Sequence, residues 1–229
     1  QQIIVEDLFE QNVESLKHTI ISSVITVLLE SVFIGYNRKD GKNIYLPSAR
    51  TGFMLTKDII NRASRRVAFS NEEKEYEPFT LPIIEFLDVM ESIAVNIKFE
   101  NQYDEVCKLI ENQMLQGKVM ISDTSNKVIS YSPKGSEEIL PLRTTSETVT
   151  EISPLSLLLK SELVFSRMKC ICYEEPEMCL HPKSQLVIAR VLLTLIHAVI
   201  DLPATTHSDI IMQYVTNTIR LGEGFDWAG

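Results

Sequence analysis

Consecutive carboxylates after an apolar run are the residues of this sequence best suited to chemistry. Glu174 and Glu175 follow the apolar stretch 168–173, and Pro176 and Glu177 come next. Ligands of parallel α/β sheets bind where the strands end. Carboxylates at that place suit Mg²⁺, which prefers oxygen ligands, and one of them can orient or deprotonate a water molecule. For an isolated Glu-Glu pair, however, a solvated acidic turn that caps the next helix is the commoner structure.

A histidine further along the chain strengthens the catalytic interpretation. His207 follows a short strand that is predicted to end at Thr206. If that strand lies parallel to a central strand that ends at Glu174, both polar ends meet at one edge of the sheet, where the imidazole can donate to a phosphate oxygen. We therefore expect the ends of Glu175 and His207 to lie within about 15 Å of each other. Taken alone, His207 would more often lead into a helix capped by Ser208.

Apolar periodicity predicts the elements that position these groups. Helices are predicted at 12–34, from Pro82 onward, at 103–115, 150–164 and 183–200, and from 208 onward. Strands are predicted at 43–47, 138–142, 168–173 and near 204, with a hairpin of 118–122 and 127–131. Because strand and helix alternate toward the C-terminal end, the predicted fold class is α/β with parallel strands.

Two expectations concern packing. The helix 183–200 is apolar almost all round, which predicts that it is buried. The segment 56–116 has helical apolar spacing between strand-like flanks, which predicts a mostly helical lobe that projects from the sheet.

Composition narrows the class of protein. With 229 residues, 45% of them hydrophobic and 23% charged, the chain has the composition of a globular protein. Its net charge of −9 argues against a broad basic face for duplex DNA. The apolar stretch 19–33 contains Ser22, Ser23 and Glu30 and is too short to span a bilayer, so no membrane partner is expected. The start at Gln1 suggests a fragment of a longer protein.

The four cysteines raise two questions, compartment and metal binding. They form no small disulfide-rich framework, which predicts a reduced, cytoplasmic protein. Cys170, Cys172, Cys179 and His181 offer a zinc site as an alternative, but their spacing lacks the two-residue knuckle usual for structural zinc. Buried thiols in a core strand are the favoured interpretation.

Four segments together resemble the ATPase heads of OLD-like and RecF/SMC-like ABC-type proteins. Similar to the Walker B and D-loop of that family are Glu174-Glu175-Pro176-Glu177 and Leu180-His181-Pro182. Similar to its switch-histidine loop is Thr205-Thr206-His207-Ser208, and similar to the Leu-Pro-x-x-Arg segment before its helical insertion is Tyr45-Leu46-Pro47-Ser48-Ala49-Arg50. The segment 144–155 occupies the place of the ABC signature and its helix. The resemblance extends from 44 to about 220 and is tight only at 170–182 and 204–209.

The resemblance implies an architecture and a set of ligands. The fold would be part of an ABC-ATPase core, a P-loop NTPase, with residues 1–55 and 117–229 as its two parts and 56–116 as a helical insertion. ATP and Mg²⁺ would be the cofactors, and two copies would join as a homodimer through an ATP sandwich. A DNA or nuclease partner would be reached through segments outside this sequence, in a DNA-related or phage-defence system.

The resemblance also implies roles in the chemical step. Glu174 would help hold Mg²⁺, directly or through water. Glu175 would polarise the attacking water, and His207 would contact the γ-phosphate. Catalysis of this kind consists mostly of positioning and of neutralising charge on the γ-phosphoryl group. Wider ABC proteins have Asp where Glu174 stands, whereas the OLD-like set often has Glu.

Other positions would contact nucleotide. His181, with Leu180, would form the D-loop across the dimer, and Ser146 would contact nucleotide bound to the opposite subunit. Arg50 and Thr206 complete the predicted nucleotide-binding set. The signature-like segment departs from the family because it lacks glycines, and a glycine-poor loop cannot bring its backbone as close to a phosphate.

A phosphate-binding loop is the part that this sequence lacks. The nearest candidate runs from Gly35 to Gly41-Lys42-Asn43, with one spacer residue too many and Asn where Ser or Thr should bind Mg²⁺. In the resembled family the P-loop precedes these segments, so we expect it upstream of Gln1 and expect this chain alone to bind ATP poorly. The alternative is a catalytically inactive dimerisation or partner-binding module derived from such a head. A TOPRIM-like acidic segment downstream of Gly229 would indicate an OLD-type nuclease.

Overall fold

Two small sheets organise the part of the chain that the computed structural model describes, residues 42–56, 79–93, 103–122, 128–161, 168–198 and 200–222. The strands are β1 (Lys42–Leu46), β2 (Gly117–Ile121), β3 (Ile129–Pro133), β4 (Leu140–Pro141), β5 (Met168–Glu174) and β6 (Ala204–Thr205). The α-helices with both ends described are α1 (Leu81–Ser92), α2 (Asp104–Ile110), α3 (Glu147–Leu159), α4 (Pro182–His197) and α5 (Asp209–Gly222). A further helical segment begins at residue 50.

The first sheet is parallel and has β5 at its centre. Its strand order is β1-β5-β6, and both pairings are parallel. On the β6 side the backbone N–H groups of Ile171, Tyr173 and Glu175 each donate to a carbonyl of the segment 201–205, at 2.9 Å. The predicted strands 43–47 and 168–173 are therefore confirmed, as is the fold class, α/β with parallel strands.

The second sheet is antiparallel, in the order β2-β3-β4. The predicted hairpin is confirmed, since β2 pairs with β3 from Gly117 opposite Pro133 to Ile121 opposite Ile129. The strand predicted at 138–142 is only two residues long, Leu140–Pro141, and pairs with β3. A π-helical turn, Glu111–Leu115, leads from α2 into this sheet.

Gly117 allows a close approach of the two strands. A Cβ added there would lie 2.4 Å from the carbonyl oxygen of Ser132 and 2.6 Å from the ring of Tyr131. The Tyr131 hydroxyl is itself fixed, because it donates to the carbonyl of Leu115 at 2.6 Å. The first contact is with backbone, and the Tyr131 ring cannot move aside without breaking the hydrogen bond of its hydroxyl to Leu115.

Replacing Gly117 with Ala is therefore expected to destabilise the protein by about 1–3 kcal/mol, the usual cost of overpacking. The matched control is Gly52→Ala, since Gly52 lies in the helical segment that begins at residue 50 and an added Cβ meets nothing within 4 Å. That change is expected to stabilise by up to about 1 kcal/mol. Urea unfolding of both variants checks the pair, and a Gly117→Ala variant as stable as the wild type would contradict the predicted clash.

The helix α3 is buried on all sides. The prediction that the helix 183–200, which is α4, would be buried is wrong in part. Every residue of α3 from Val149 to Leu159 is buried. Two of its buried polar side chains have partners inside the protein: Ser153 donates to the carbonyl of Val149, and Glu151 pairs with Arg50. By contrast, α4 buries one face and exposes the other. The exposed side chains recur every three to four residues and include Lys183, Leu186, Arg190, Thr194 and His197.

The described parts of the segment 56–116 are helical, as α1, α2 and the π-helical turn. These elements pack on the core: α1 against β1, α2 against α4, and the π-helical turn against α3. Residues 57–78 and 94–102 lie outside the described residues, as does the helix predicted at 12–34. The division of the chain at 56 and 116 stays a prediction. No helix of the described ranges combines the length and the apolar character needed to cross a bilayer.

Candidate functional site

The carboxyl ends of β5 and β6 bring the predicted catalytic side chains together. Glu174 is the last residue of the central strand β5 and pairs with Thr205 at the end of β6. The Oε1 atom of Glu175 and the Nε2 atom of His207 are 3.8 Å apart. The predicted strand neighbours and the predicted proximity of these two side chains are confirmed, although β6 ends at Thr205 and not at Thr206.

Glu174 is oriented by residues at the end of β1. Its Oε2 atom accepts a hydrogen bond from the backbone N–H of Ser48, at 3.3 Å. The phenol of Tyr45 hydrogen-bonds the same carboxylate, and burial together with this carboxylate raises the pKa of Tyr45 to about 12. Because β1 and β5 are parallel, their ends meet, and the segment 45–50 thus contacts the carboxylate that it precedes by more than 120 residues.

Glu175 has a left-handed backbone, with φ of 41°. Such a conformation is uncommon for a residue with a side chain and persists where the surroundings fix it. Here the N–H of Glu175 donates to the carbonyl of Thr205 at 2.9 Å, and the carbonyl of Glu175 accepts from Arg50 at 3.0 Å. The sharp turn after β5 directs the side chain of Glu175 toward His207, and 34% of that side chain is exposed.

His207 is open to solvent at its ring and held at its backbone. Its side chain is 88% exposed, while its N–H donates to Oε1 of Glu177 at 2.6 Å. Ser208 accepts from the N–H of Ile211 at 3.2 Å and so caps α5. Both interpretations of this segment are therefore correct: Ser208 caps the helix, and the imidazole of His207 lies next to Glu175.

Glu177 is a site residue whose role the sequence did not indicate. In the sequence it stands out only as part of the Glu-Glu-Pro-Glu run. In the structure its hydrogen bond with the N–H of His207 connects the turn after β5 to the turn after β6. A second tie runs through Gln185, which donates to the carbonyl of Leu180 at 3.0 Å and accepts from Ser208 at 2.7 Å. Glu177 and Gln185 together set the position of the histidine loop relative to the carboxylates.

Truncating Glu177 to Ala is expected to release the histidine loop. The loss of a hydrogen bond to a charged group should lower the free energy of unfolding by about 1–2 kcal/mol and speed amide exchange at His207. Glu105→Ala is the control, because Glu105 is 87% exposed and pairs only locally with Lys108, so its loss should cost less than about 0.5 kcal/mol. Hydrogen exchange and urea unfolding measure both effects. Unchanged exchange at His207 would rule out the proposed tie.

The signature-like and D-loop-like segments lie side by side. The Thr148 hydroxyl near the start of α3 donates to the carbonyl of Cys179 at 3.1 Å. Ser146 is exposed and caps α3 by accepting from the N–H of Val149. His181 is exposed and caps α4 through Nδ1, 3.4 Å from the N–H of Lys183. The contacts of Ser146 and His181 with nucleotide stay predictions, as does the role of Thr206.

Arg50 contacts the backbone of Glu174 and Glu175, where β5 passes into the turn that follows it. The residue is fully buried, and its guanidinium pairs with Glu151 at 2.6 Å. It also donates to the carbonyls of Pro47, Glu174 and Glu175, at 2.7, 2.6 and 3.0 Å. These bonds hold the backbone that carries Glu174 and Glu175. This role differs from the predicted contact of Arg50 with nucleotide.

Two thiols lie behind the carboxylates on β5. The Sγ atoms of Cys170 and Cys172 are 3.9 Å apart, and the hydrogen bond from Cys170 lowers the pKa of Cys172 to about 7. Cys179 is exposed, in the turn after the strand. In the described ranges, no group of three or more His, Cys, Asp and Glu side chains is arranged to hold a metal ion.

Comparison with known proteins finds no matching family and a number of solved structures of low similarity. No protein-family model matches the sequence, and no curated protein matches it. One similar structure comes from work on ATP-driven dimerization and DNA-stimulated activation of SMC ATPases: identity is 11%, the TM-score is 0.39, and the alignment covers 48% of this chain and 70% of that one.

Two further structures are Smc heads bound to parts of ScpA. The head bound to the C-winged helix domain of ScpA is 14% identical with a TM-score of 0.42, over 76% of this chain and 50% of that one. The head with an extended coiled coil bound to the C-terminal domain of ScpA, derived from Pyrococcus furiosus, is 13% identical with a TM-score of 0.38, over 77% and 52%. The chain thus spans about half the length of these two structures.

Proposed function

We propose that this chain supplies catalytic groups of an ABC-type head that hydrolyses ATP to ADP and phosphate with Mg²⁺. One observation carries the proposal: Oε1 of Glu175 and Nε2 of His207 lie 3.8 Å apart where the central parallel strand ends in Glu174. A carboxylate pair and an imidazole at the carboxyl edge of a parallel sheet form a place where a charged phosphate ligand and its cation can be bound.

Mg²⁺ with ATP fits the donor set at this edge. In nucleotide sites Mg²⁺ is commonly bound by one or two carboxylates together with phosphate oxygens and water, without an all-protein cage. The described residues offer Glu174 and Glu175 but no group of three metal-ligating side chains. Glu174 would offer the ion a carboxylate that Ser48 and Tyr45 orient. When bound, Mg²⁺ neutralises charge on the phosphate oxygens.

The roles of the other two side chains follow from their positions. Glu175, one third exposed at the end of its turn, orients a water molecule and accepts its proton as the water oxygen bonds to the γ-phosphorus. The bond from that phosphorus to the bridging oxygen breaks, and ADP leaves with the electron pair. His207, exposed and adjacent, donates a hydrogen bond to a γ-phosphate oxygen.

A second copy of the chain would complete the site. Ser146 and His181 are both exposed, and the hydrogen bond between Thr148 and Cys179 joins the segments that carry them. In the proposed homodimer these segments face nucleotide bound to the opposite subunit, as the resemblance to OLD-like and SMC-like heads implies. DNA or a nuclease is the corresponding macromolecular partner.

Phosphate release from the full-length protein tests the proposal. We place the cradle for the β- and γ-phosphates in a segment upstream of Gln1, because these 229 residues contain no Gly-x-x-x-x-Gly-Lys-Ser/Thr. We expect Mg²⁺-dependent hydrolysis by the full-length protein and none by residues 1–229 alone. A full-length protein that neither binds nor hydrolyses ATP would favour the non-catalytic dimerisation module.

A further inference from the structure

Arg50 gathers three carbonyl groups around one guanidinium. Its Nη1 donates to the carbonyls of Pro47 and Glu174, and its Nη2 donates to that of Glu175. Tyr173 lies under the guanidinium, with 4.6 Å between Cζ and the ring centroid. The end of β1, the end of β5 and the turn that follows are therefore joined at one buried side chain.

Glu151 holds that side chain through an ion pair. Its Oε1 lies 2.6 Å from Nη2 of Arg50, and both side chains have no exposed surface. Its Oε2 accepts from the N–H and the hydroxyl of Thr51, at 3.0 and 2.6 Å. Glu151 is thus a carboxylate of the buried helix α3 whose bonds all point at the segment 50–51.

We infer that Arg50 is a positioning residue for Glu175 and that Glu151 fixes Arg50 for this task. The pair thereby sets the rate of the chemical step, because it holds the turn after β5 that carries Glu175. The inference rests on the proposed function. It assigns to two buried side chains a part in hydrolysis without contact with ATP or water.

The backbone geometry gives the reason. Glu175 occupies a left-handed conformation that the surroundings must maintain, and Arg50 is the donor to its carbonyl. Releasing the carbonyls of Glu174 and Glu175 lets the peptides on both sides of Glu175 rotate, which swings the Glu175 carboxylate away from His207. A displacement of about 1 Å at a reacting group costs on the order of 100-fold in rate.

Lysine cannot reproduce this arrangement. Its single ammonium is a point charge, whereas the bonds of Arg50 leave from two nitrogens of a planar fork. Arg50→Lys keeps the positive charge beside Glu151 and is therefore a test of geometry more than of charge. Glu151→Gln is the second variant, since it keeps the shape of the side chain and removes the charge that orients Arg50.

The experiment is a double-mutant cycle in the full-length protein. Arg50→Lys alone is expected to lower kcat for ATP hydrolysis by about 10- to 100-fold with KM changed less than about twofold. In a Glu175→Gln background the same change should have almost no further effect, because Arg50 acts through Glu175. Arg190→Lys, the same substitution at an exposed position of α4, is the control and should leave kcat unchanged.

Hydrogen exchange supplies a readout that does not depend on hydrolysis. Arg50→Lys and, to a smaller extent, Glu151→Gln should speed amide exchange in 174–180 and leave the strands β2 and β3 of the antiparallel sheet, 117–121 and 129–133, as protected as in the wild type. This pattern supports a local positioning role, whereas equal loss of protection in both regions would show general loss of stability and overturn the inference.

The outcomes separate the two proposals. If the wild type is active and Arg50→Lys lowers kcat by the same factor in the wild-type and the Glu175→Gln backgrounds, the proposed function stands and the positioning role is overturned. A wild type without ATPase activity overturns the proposed function and the catalytic part of this inference. In that case, unchanged exchange in 174–180 would also exclude Arg50 as the residue that fixes the turn.

Discussion

Glu175→Gln is expected to lower ATP turnover of the full-length protein by about 100-fold, the usual scale for a lost general base. Glutamine keeps the size of the side chain but cannot accept a proton from water. The variant should still bind ATP, because the groups proposed to bind phosphate and Mg²⁺ are unchanged. Phosphate release measures turnover, and binding of a fluorescent ATP analogue measures affinity.

Two companion variants make this expectation specific. Glu174→Gln should raise the Mg²⁺ concentration required for activity, because Glu174 is proposed to hold the ion. Glu105→Gln makes the same chemical change on an exposed glutamate of α2 and should leave both measurements unchanged. Equal turnover by wild type and Glu175→Gln would remove Glu175 from the mechanism.

The meeting of Glu174, Glu175 and His207 could be predicted because it depends on strand order alone. Each residue lies at the end of a strand or just after it, and parallel strands joined by a helix end at the same edge of a sheet. Periodicity locates such strands, and the polar residues after them mark the edge. No side-chain detail was needed for this part of the prediction.

The contacts that hold the site could not be predicted in the same way. Glu151 lies 101 positions after Arg50, its partner in the ion pair, and nothing local in 144–155 distinguishes it from Glu147. The hydrogen bond of Glu177 with His207 likewise depends on the tertiary fold, which places the turn after β6 beside Glu177. Partnerships between polar side chains over such sequence separations are set by tertiary packing, which hydrophobic periodicity does not encode.

The complete burial of α3 and the one-sided burial of α4 have the same cause. From composition, α4 looked like the buried helix, yet it carries an exposed stripe. The sequence of α3 contains Glu151, Ser153, Pro154 and Ser156, which argue against burial on all sides. Burial of Glu151 is tolerated because Arg50 pairs with it, and burial of Ser153 because its hydroxyl donates to the carbonyl of Val149. A single sequence does not reveal those partners.

The buried Arg50–Glu151 pair also predicts a large effect on stability. Removing one partner of a buried ion pair leaves the other charge without compensation, which typically costs about 3–5 kcal/mol. Arg50→Met should therefore destabilise the protein by about this amount, whereas replacing both residues with apolar ones, Arg50→Met with Glu151→Leu, should recover a substantial part of the loss. Recovery will be incomplete because the carbonyls of Glu174 and Glu175 still lose their donor.

The effect of Arg50→Met should depend on pH in a defined direction. Burial raises the pKa of Glu151, and Arg50 and Thr51 oppose that rise, so loss of Arg50 raises the pKa of Glu151 further. A folded-state pKa above the unfolded value means that the folded protein binds more protons, and stability then falls as pH rises through that window. The destabilisation by Arg50→Met should thus be smallest near the ordinary pKa of glutamate, about 4.3, and full above the raised pKa. Urea unfolding of wild type and variant at pH 5 and pH 8 measures the difference, with Arg190→Met as the exposed control. An equal loss at both pH values would show that the charge on Glu151 is not what destabilises the variant.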